Sequence, residues 1–224
     1  MNNIRWPAPP QAVLFDLDGT LADTAGDLGG ALNCLRIARG LAPMDLALLR
    51  PHASAGARGL IGMGLGIEPQ HPEYEALRTA FLEAYLIGLN DTTVLFPGMT
   101  EVLASLEQSG LKWGVVTNKP HRFTVPVMRG LKLMERSGTT ISGDSTAHAK
   151  PHPLPLLTAC EQLGVSPQRT LYVGDDLRDI HAAQAAGMPS AAAGWGYIGS
   201  GQNIQDWGAD VICEHPTDLL ALVR

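Results

Sequence analysis

A chain of 224 residues, 45% hydrophobic and 17% charged with a formal net charge of −6, can bury a substantial core as one domain or as one domain carrying a smaller insertion. The acidic balance and the lack of any Lys/Arg run exclude recognition of nucleic acid through a basic surface, and no stretch approaches the ~18 continuous apolar residues of a membrane span. Cys34, Cys160 and Cys213 fit neither a disulfide framework nor a metal-ligand pattern; with no apolar secretory leader, the expectation is a cytoplasmic protein.

Residues 1–10, with three prolines, read as a loose leader. Next comes A-V-L-F-D-L-D-G-T-L over residues 12–21. Val13, Leu14 and Phe15 are apolar on consecutive positions, as a parallel strand buried on both faces requires. Asp16 and Asp18 then share one side, because extended chain repeats with period two. Gly19 permits a tight turn or close approach to a ligand, and Thr20 adds a hydroxyl. Two carboxylates at one strand tip suggest a hard cation such as Mg²⁺ between them; the alternative is an acidic hairpin corner at Asp18 and Gly19.

Four helical tracts follow. The first covers residues 23–40, with Leu28, Leu32, Leu35 and Arg39 at helical spacing and Asp23 or Thr24 as cap. The second covers 44–52. The third, 54–65, is punctuated by Gly56, Gly59, Gly62, Gly64 and Gly66, which argues for a mobile or tightly turned loop within it. The fourth, 72–90, puts Tyr74, Leu77, Phe81, Leu82, Tyr85 and Leu89 on one face. No strand pattern is evident from 22 to 91, so this span is expected to be a helical domain inserted after the first strand, with 1–21 and 92–224 forming the core domain.

After Pro97 and Gly98 helix and strand alternate, the sign of a parallel sheet. Helices are expected over 99–109, 121–130, 154–163 and up to Ala186, and strands over 113–117, 139–142, 170–173, 190–193 and 210–213. Four strands end in polar residues: Asp16 and Asp18, Thr117 and Asn118, a segment leading to Lys150, and Asp175, Asp176 and Asp179. In open α/β sheets ligands sit beyond those carboxyl ends.

D-L-D-G-T (16–20), T-N-K (117–119), K-P (150–151) and G-D-D-L-R-D (174–179) resemble the four motifs of the haloacid dehalogenase-like phosphatases. The resemblance covers nearly the whole chain and implies a doubly wound, Rossmann-like α/β core with a small all-helical C1 cap. Within that superfamily the chain is similar to the phosphoglycolate phosphatase-like group. G-V-V-T-N-K-P, V-G-D-D-L-R-D-I, G-Y-I and W-G-A-D-V look closer still to bacterial N-acetylmuramic acid 6-phosphate phosphatases. The roles implied are Asp16 as nucleophile and Asp18 as acid/base, with Mg²⁺ on Asp16, the backbone carbonyl of Asp18, and Asp175. Asp176 and Asp179 would support the metal shell, while Gly19, Thr117, Asn118 and Lys150 would bind phosphate.

The expected reaction is Mg²⁺-dependent hydrolysis of a small carboxylate-bearing phosphate ester through an aspartyl-phosphate. A mutase of the same fold, or less so a receiver-type signalling domain, are the alternatives. Substrate choice is assigned to the cap through Ser54, Gly56 and Arg58, the arginine suiting a carboxylate unless it is simply a solvated helix residue. His52, His121, His148, His152 and His181 are taken as loop or surface residues, and Trp195, Tyr197 and Trp207 as packing aromatics.

Overall fold

The computed structural model describes residue 4, residues 6–199 and residues 201–223. Its centre is a six-stranded, all-parallel sheet in the order β5-β4-β1-β6-β7-β8. The strands are β1 (Ala12–Phe15), β4 (Lys112–Val116), β5 (Thr140–Ile141), β6 (Thr170–Gly174), β7 (Ser190–Ala193) and β8 (Val211–Cys213). Period-two alternation divides β1 between two layers. Val13 and Phe15 pack with Met99, Val102, Leu103 and Leu106 of α5 (Met99–Gln108) and with Val127 and Met128 of α6 (His121–Gly130). Ala12 and Leu14 face the other way, onto α7 (Leu154–Leu163) and α8 (Leu177–Ala186). The chain winds outward from β1 through β4 to β5, then returns to β6 and winds the other way, so the topological switch lies beside β1. That is where a doubly wound sheet opens a crevice at its carboxyl edge.

Between β1 and β4 lie α1 (Ala25–Ala38), α2 (Leu46–Leu49), α3 (Gly56–Leu65) and α4 (Tyr74–Ile87). Leu28, Leu32, Leu49, Leu60, Ile61 and Phe81 make an apolar cluster of their own, joined by Phe123 and Tyr197 from the sheet side. The span is not strand-free: β2 (Ala22–Asp23) pairs antiparallel with β3 (Val94–Leu95), so the chain enters and leaves the helices side by side. Two residues are too few to show any periodicity. The second tract is also shorter than expected. Pro51, which cannot donate into an α-helical ladder, lies at the start of a 3₁₀ turn over Arg50–Ala55.

The glycines of the third tract do not make a loop; α3 runs through them, with Gly66 in the left-handed conformation at its end. A Cβ on Gly64 would stand 2.3 Å from Leu32 Cδ2 and 2.9 Å from its Cγ, so that glycine is where α3 presses against α1. Thr24 occupies the N-cap position of α1 without side-chain capping; its hydroxyl goes elsewhere, as shown below. Of the expected loose leader, residues 1–3 and 5 lie outside the described residues. The rest is docked rather than loose: Trp6 packs on the core and its indole N–H donates to the carbonyl of Leu222 at 2.8 Å.

Overpacking costs ~1–3 kcal/mol, against the ~1 kcal/mol that alanine gains over glycine in a helix interior. Gly64→Ala should therefore lower the unfolding free energy by about 1–2 kcal/mol in urea titration. Gly30→Ala, in α1 with nothing within 4 Å of the added carbon, should raise it by up to ~1 kcal/mol. Equal effects at the two positions would mean that α3 does not press on Leu32.

Candidate active site

β1 delivers Asp16 to the carboxyl edge, and the chain then folds back on itself. The carbonyl of Leu17 accepts from the amides of Thr20, Leu21 and Ala22, and the amide of Gly19 donates to the carbonyl of Ala22. Gly19 has φ +84° and lies so near Asp175 that a Cβ would stand 2.1 Å from its Oδ2. The turn is thus closed to any L side chain, and Asp18 and Gly19 do not form a hairpin corner. Thr20 buries its hydroxyl on Asp175 Oδ1 at 2.9 Å.

From β6 come Asp175 and, at the start of α8, a reciprocal cap: Asp176 accepts from the amide of Arg178, and Asp179 Oδ2 accepts from the amide of Asp176. Oxygens of Asp16, Asp175 and Asp179 all lie within 4.8 Å of one another. Lys150 completes the cluster and is only 4% exposed. Its Nζ donates to Asp179 Oδ1 at 2.7 Å, the Tyr172 hydroxyl at 2.7 Å and the Val116 carbonyl at 2.8 Å. It also stands 2.9 Å from Asp16 Oδ1. That last contact is an ion pair without hydrogen-bond direction, so Asp16 Oδ1 is buried with no donor aimed at it among the described residues.

Burial pushes the Asp16 carboxyl up to about 6, opposed by Lys150 and helped by Asp179 and Asp18. Asp175 is driven well above the usual carboxylate range by burial and by the charges of Asp16 and Asp179. Burial works against a charged Lys150, but Asp16 and Asp179 outweigh it and hold the ammonium above its ordinary value. Three crowded carboxylates, all oxygen donors, with one oxygen uncommitted, fit a hard divalent cation such as Mg²⁺. This donor set has Asp179 in it, and the side chain of Asp18 outside it.

Asp18 points instead at Lys119, whose Nζ is 2.9 and 3.0 Å from its two oxygens, and it accepts from the Thr24 hydroxyl at 2.6 Å. Thr117 lines the same cavity, its hydroxyl oxygen accepting from the amide of Lys119. Asn118 lines it too, and its side-chain amide holds both backbone groups of Lys150, at 2.9 Å each, and so fixes the lysine. Asp176 is spent on capping and on a two-pronged pair with Arg178, apart from the carboxylate cluster.

From the helical segment, Ser54 reaches the cluster, donating to Asp175 Oδ2 at 2.9 Å, and Arg178 holds the Ser54 carbonyl. Gly56 lines the cavity; Arg58 is exposed and is not among the residues that line it.

The sequence reading gave no part in the site to four residues that the fold brings here. Lys119 and Thr24 hold Asp18. Tyr197 donates its backbone N–H to Asp175 Oδ2 and its hydroxyl to Asp23, while accepting from the amides of Thr24 and Ala25. Trp195 donates to the carbonyl of Thr20. Trp195 and Tyr197 follow β7, and the same strand-end rule that found the other residues applies there; their apolar bulk pointed to packing instead.

The profile of the haloacid dehalogenase-like hydrolases matches residues 13–193. The chain belongs to the haloacid dehalogenase-like hydrolase family. It is 45% identical over 210 residues to the N-acetylmuramic acid 6-phosphate phosphatase of Pseudomonas aeruginosa, covering 94% of this chain and 93% of that one. It is 44% identical over 210 residues to the phosphoglycolate phosphatase of Xanthomonas campestris, covering 94% and 95%. A crystal structure from Haemophilus somnus, described as a predicted phosphoglycolate phosphatase, superposes with a TM-score of 0.82 at 25% identity, over 97% of this chain and 100% of that one. As an enzyme, this haloacid dehalogenase-like hydrolase stands with the family's phosphatases.

A carboxyl whose folded pKa is raised contributes stability that is full below the unfolded value and lost as pH rises through the folded one. In metal-free protein, the contribution of Asp16 should be present below about pH 4 and gone above about pH 6, with Asp175 acting in the same direction. Mg²⁺ should then raise Tm, and by more at about pH 7.5 than at about pH 5, where protons compete for the same oxygens. The same Tm shift at both pH values, or none, would show that these carboxylates do not hold the ion.

Proposed function

We propose that this hydrolase is a Mg²⁺-dependent phosphomonoesterase that works through an aspartyl-phosphate on a small carboxylate-bearing phosphate ester. The observation that carries this reading is the meeting of three strand ends at one point: Asp16, Asp175 and Asp179 within 4.8 Å, with the Lys150 ammonium 2.9 and 2.7 Å from two of them. A carboxylate attacks a phosphate dianion only where positive charge offsets their repulsion. Asp16, Asp175 and Asp179, with the Asp18 carbonyl, are the groups that would hold Mg²⁺, which when bound supplies that charge.

Asp16, which lines the cavity, is the carboxylate that bonds phosphorus. As the P–O ester bond breaks, Asp18 gives a proton to the leaving oxygen, and it later takes one from the water that cleaves the acyl phosphate. Thr24 and Lys119 fix the direction of Asp18 for both steps. Lys150 stays clamped by Asn118 and keeps its ammonium beside Asp16, and Thr117 and the amides of Leu17 and Asp18 serve the phosphoryl oxygens. Residues 22–91 act as a cap, with Ser54 and Gly56 on the cavity side.

The two relatives' names point to different leaving groups, a glycolate and a sugar acid, both carrying a carboxylate. As the structure stands the cavity holds about 190 Å³, below the ~300–1,000 Å³ of sites for drug-sized ligands. A glycolate fits that space, whereas a muramic acid needs the helical segment to swing back. Steady-state assays of a phosphate-ester panel with 2-phosphoglycolate and N-acetylmuramic acid 6-phosphate side by side test the reading. Carboxylate-bearing esters should exceed plain alkyl phosphates at least about tenfold in kcat/KM; uniform rates across the panel would overturn it.

Asp16→Asn should fold and lose essentially all turnover, since an amide keeps the shape but cannot attack phosphorus. Activity within about tenfold of wild type would end the covalent mechanism. Asp18→Asn should slow alkyl phosphates far more than para-nitrophenyl phosphate, whose leaving group needs little protonation. Equal losses on both would remove Asp18 from the acid role.

A further inference from the structure

Three cations line the cavity, and one of them is fully engaged. Lys150 is taken up by four oxygens. Arg178 gives Nε and Nη2 to the two oxygens of Asp176 and to the Ser54 carbonyl, and its side chain is 41% exposed to solvent. Lys119 differs. Its Nζ meets the two oxygens of Asp18 and lies 4.7 Å from the centroid of the Tyr85 ring. An ammonium has three donors, so one remains for something that enters the cavity.

Tyr85 supplies a second, independent sign. It is 2% exposed, it lines the same cavity, and its hydroxyl has no hydrogen-bond partner among the described residues. Lys119 stands over the ring and near the hydroxyl without hydrogen-bond geometry to it. A buried polar group without a partner costs about 1–3 kcal/mol, which a ligand acceptor would recover. Burial pushes the phenol up to about 12, so it remains a neutral donor at physiological pH. The walls around the pair are apolar, from Leu28, Phe81, Leu82 and Phe123, and strengthen any charge interaction made there.

We propose that Lys119 and the Tyr85 hydroxyl together form the receptor for a carboxylate carried by the leaving group of the substrate. The inference deepens the phosphomonoesterase reading and rests on it only in taking the anion as part of the leaving group. It moves the choice of substrate from the exposed Arg58 to a core lysine in the loop after β4 and a tyrosine of α4. Because the same ammonium touches Asp18, a substrate that carries the anion is docked directly against the group that must protonate its ester oxygen.

Calorimetric titration of the Mg²⁺-supplied protein with 3-phosphonopropionate and with propylphosphonate tests this, since the two differ chiefly in the carboxylate and neither is hydrolysed. Wild type should bind 3-phosphonopropionate about ten- to a hundredfold more tightly, the worth of one charged hydrogen-bonding partner. That ratio should fall to within about threefold in Lys119→Met and drop by at least about threefold in Tyr85→Phe. Equal affinities in wild type, or a ratio kept in either variant, would overturn the proposal. If Lys119→Met does not fold, Tyr85→Phe, which removes a single oxygen, decides alone. A carboxylate-dependent ratio without turnover of any ester would overturn the reaction and leave the subsite standing; turnover without the ratio would overturn the subsite alone.

Discussion

The carboxyl edge of the sheet depends on one buried ammonium. Asp16, Asp175 and Asp179 crowd together with little access to water, where Asp179 opposes the ionisation of Asp16, and both oppose that of Asp175. Lys150 Nζ stands among them with every donor used. Removing one partner from a buried ion pair typically costs about 3–5 kcal/mol, so the position of Lys150 is a constraint on the fold as well as on the chemistry. Asn118 answers that constraint by bonding both backbone groups of the lysine, which ties the end of β4 to the loop before α7.

The same crowding dictates where side chains must be absent. A Cβ at Gly19 would fall on Asp175, one at Gly174 on Asp179 at 2.3 Å, and one at Gly196 on the Asp175 Cβ at 2.2 Å. These three glycines let backbone reach the carboxylates from the turn after β1, the end of β6 and the loop after β7, a close approach that any larger residue would prevent.

The helical segment is tied into this arrangement at both of its connections. Asp27, in the first turn of α1, accepts from the amides of Asn90 and Thr92 and the hydroxyls of Thr92 and Thr93, joining the segment's exit to its entry. Tyr197 joins the entry to Asp175. Ser54 and Arg178 join its middle to the site, so a displacement of residue 54 breaks a bond to Asp175 and a bond to α8 at once. Access to the cavity and the surroundings of the carboxylates therefore change together.

The core was legible because its signals are local. A continuous apolar run ending in carboxylates fits a buried strand reaching an edge, as at Val13 to Asp18; helices with one apolar face, turns at glycine and alternation of the two classes then imply a doubly wound sheet. The parallel sheet, the four strand ends and the helical character of 22–91 all follow from such patterns. What the sequence could not decide is how side chains of separate elements divide the available partners. Whether Asp18 faces a metal or Lys119, whether Asn118 serves substrate or Lys150, whether an arginine at position 58 or a lysine at position 119 meets the ligand, and whether glycines in α3 mean a loop or a close helix crossing depend on contacts across tens to hundreds of residues. Residue type and spacing settle conformation along the chain, but hydrogen bonds and burial are shared out only when distant segments compete for the same few oxygens.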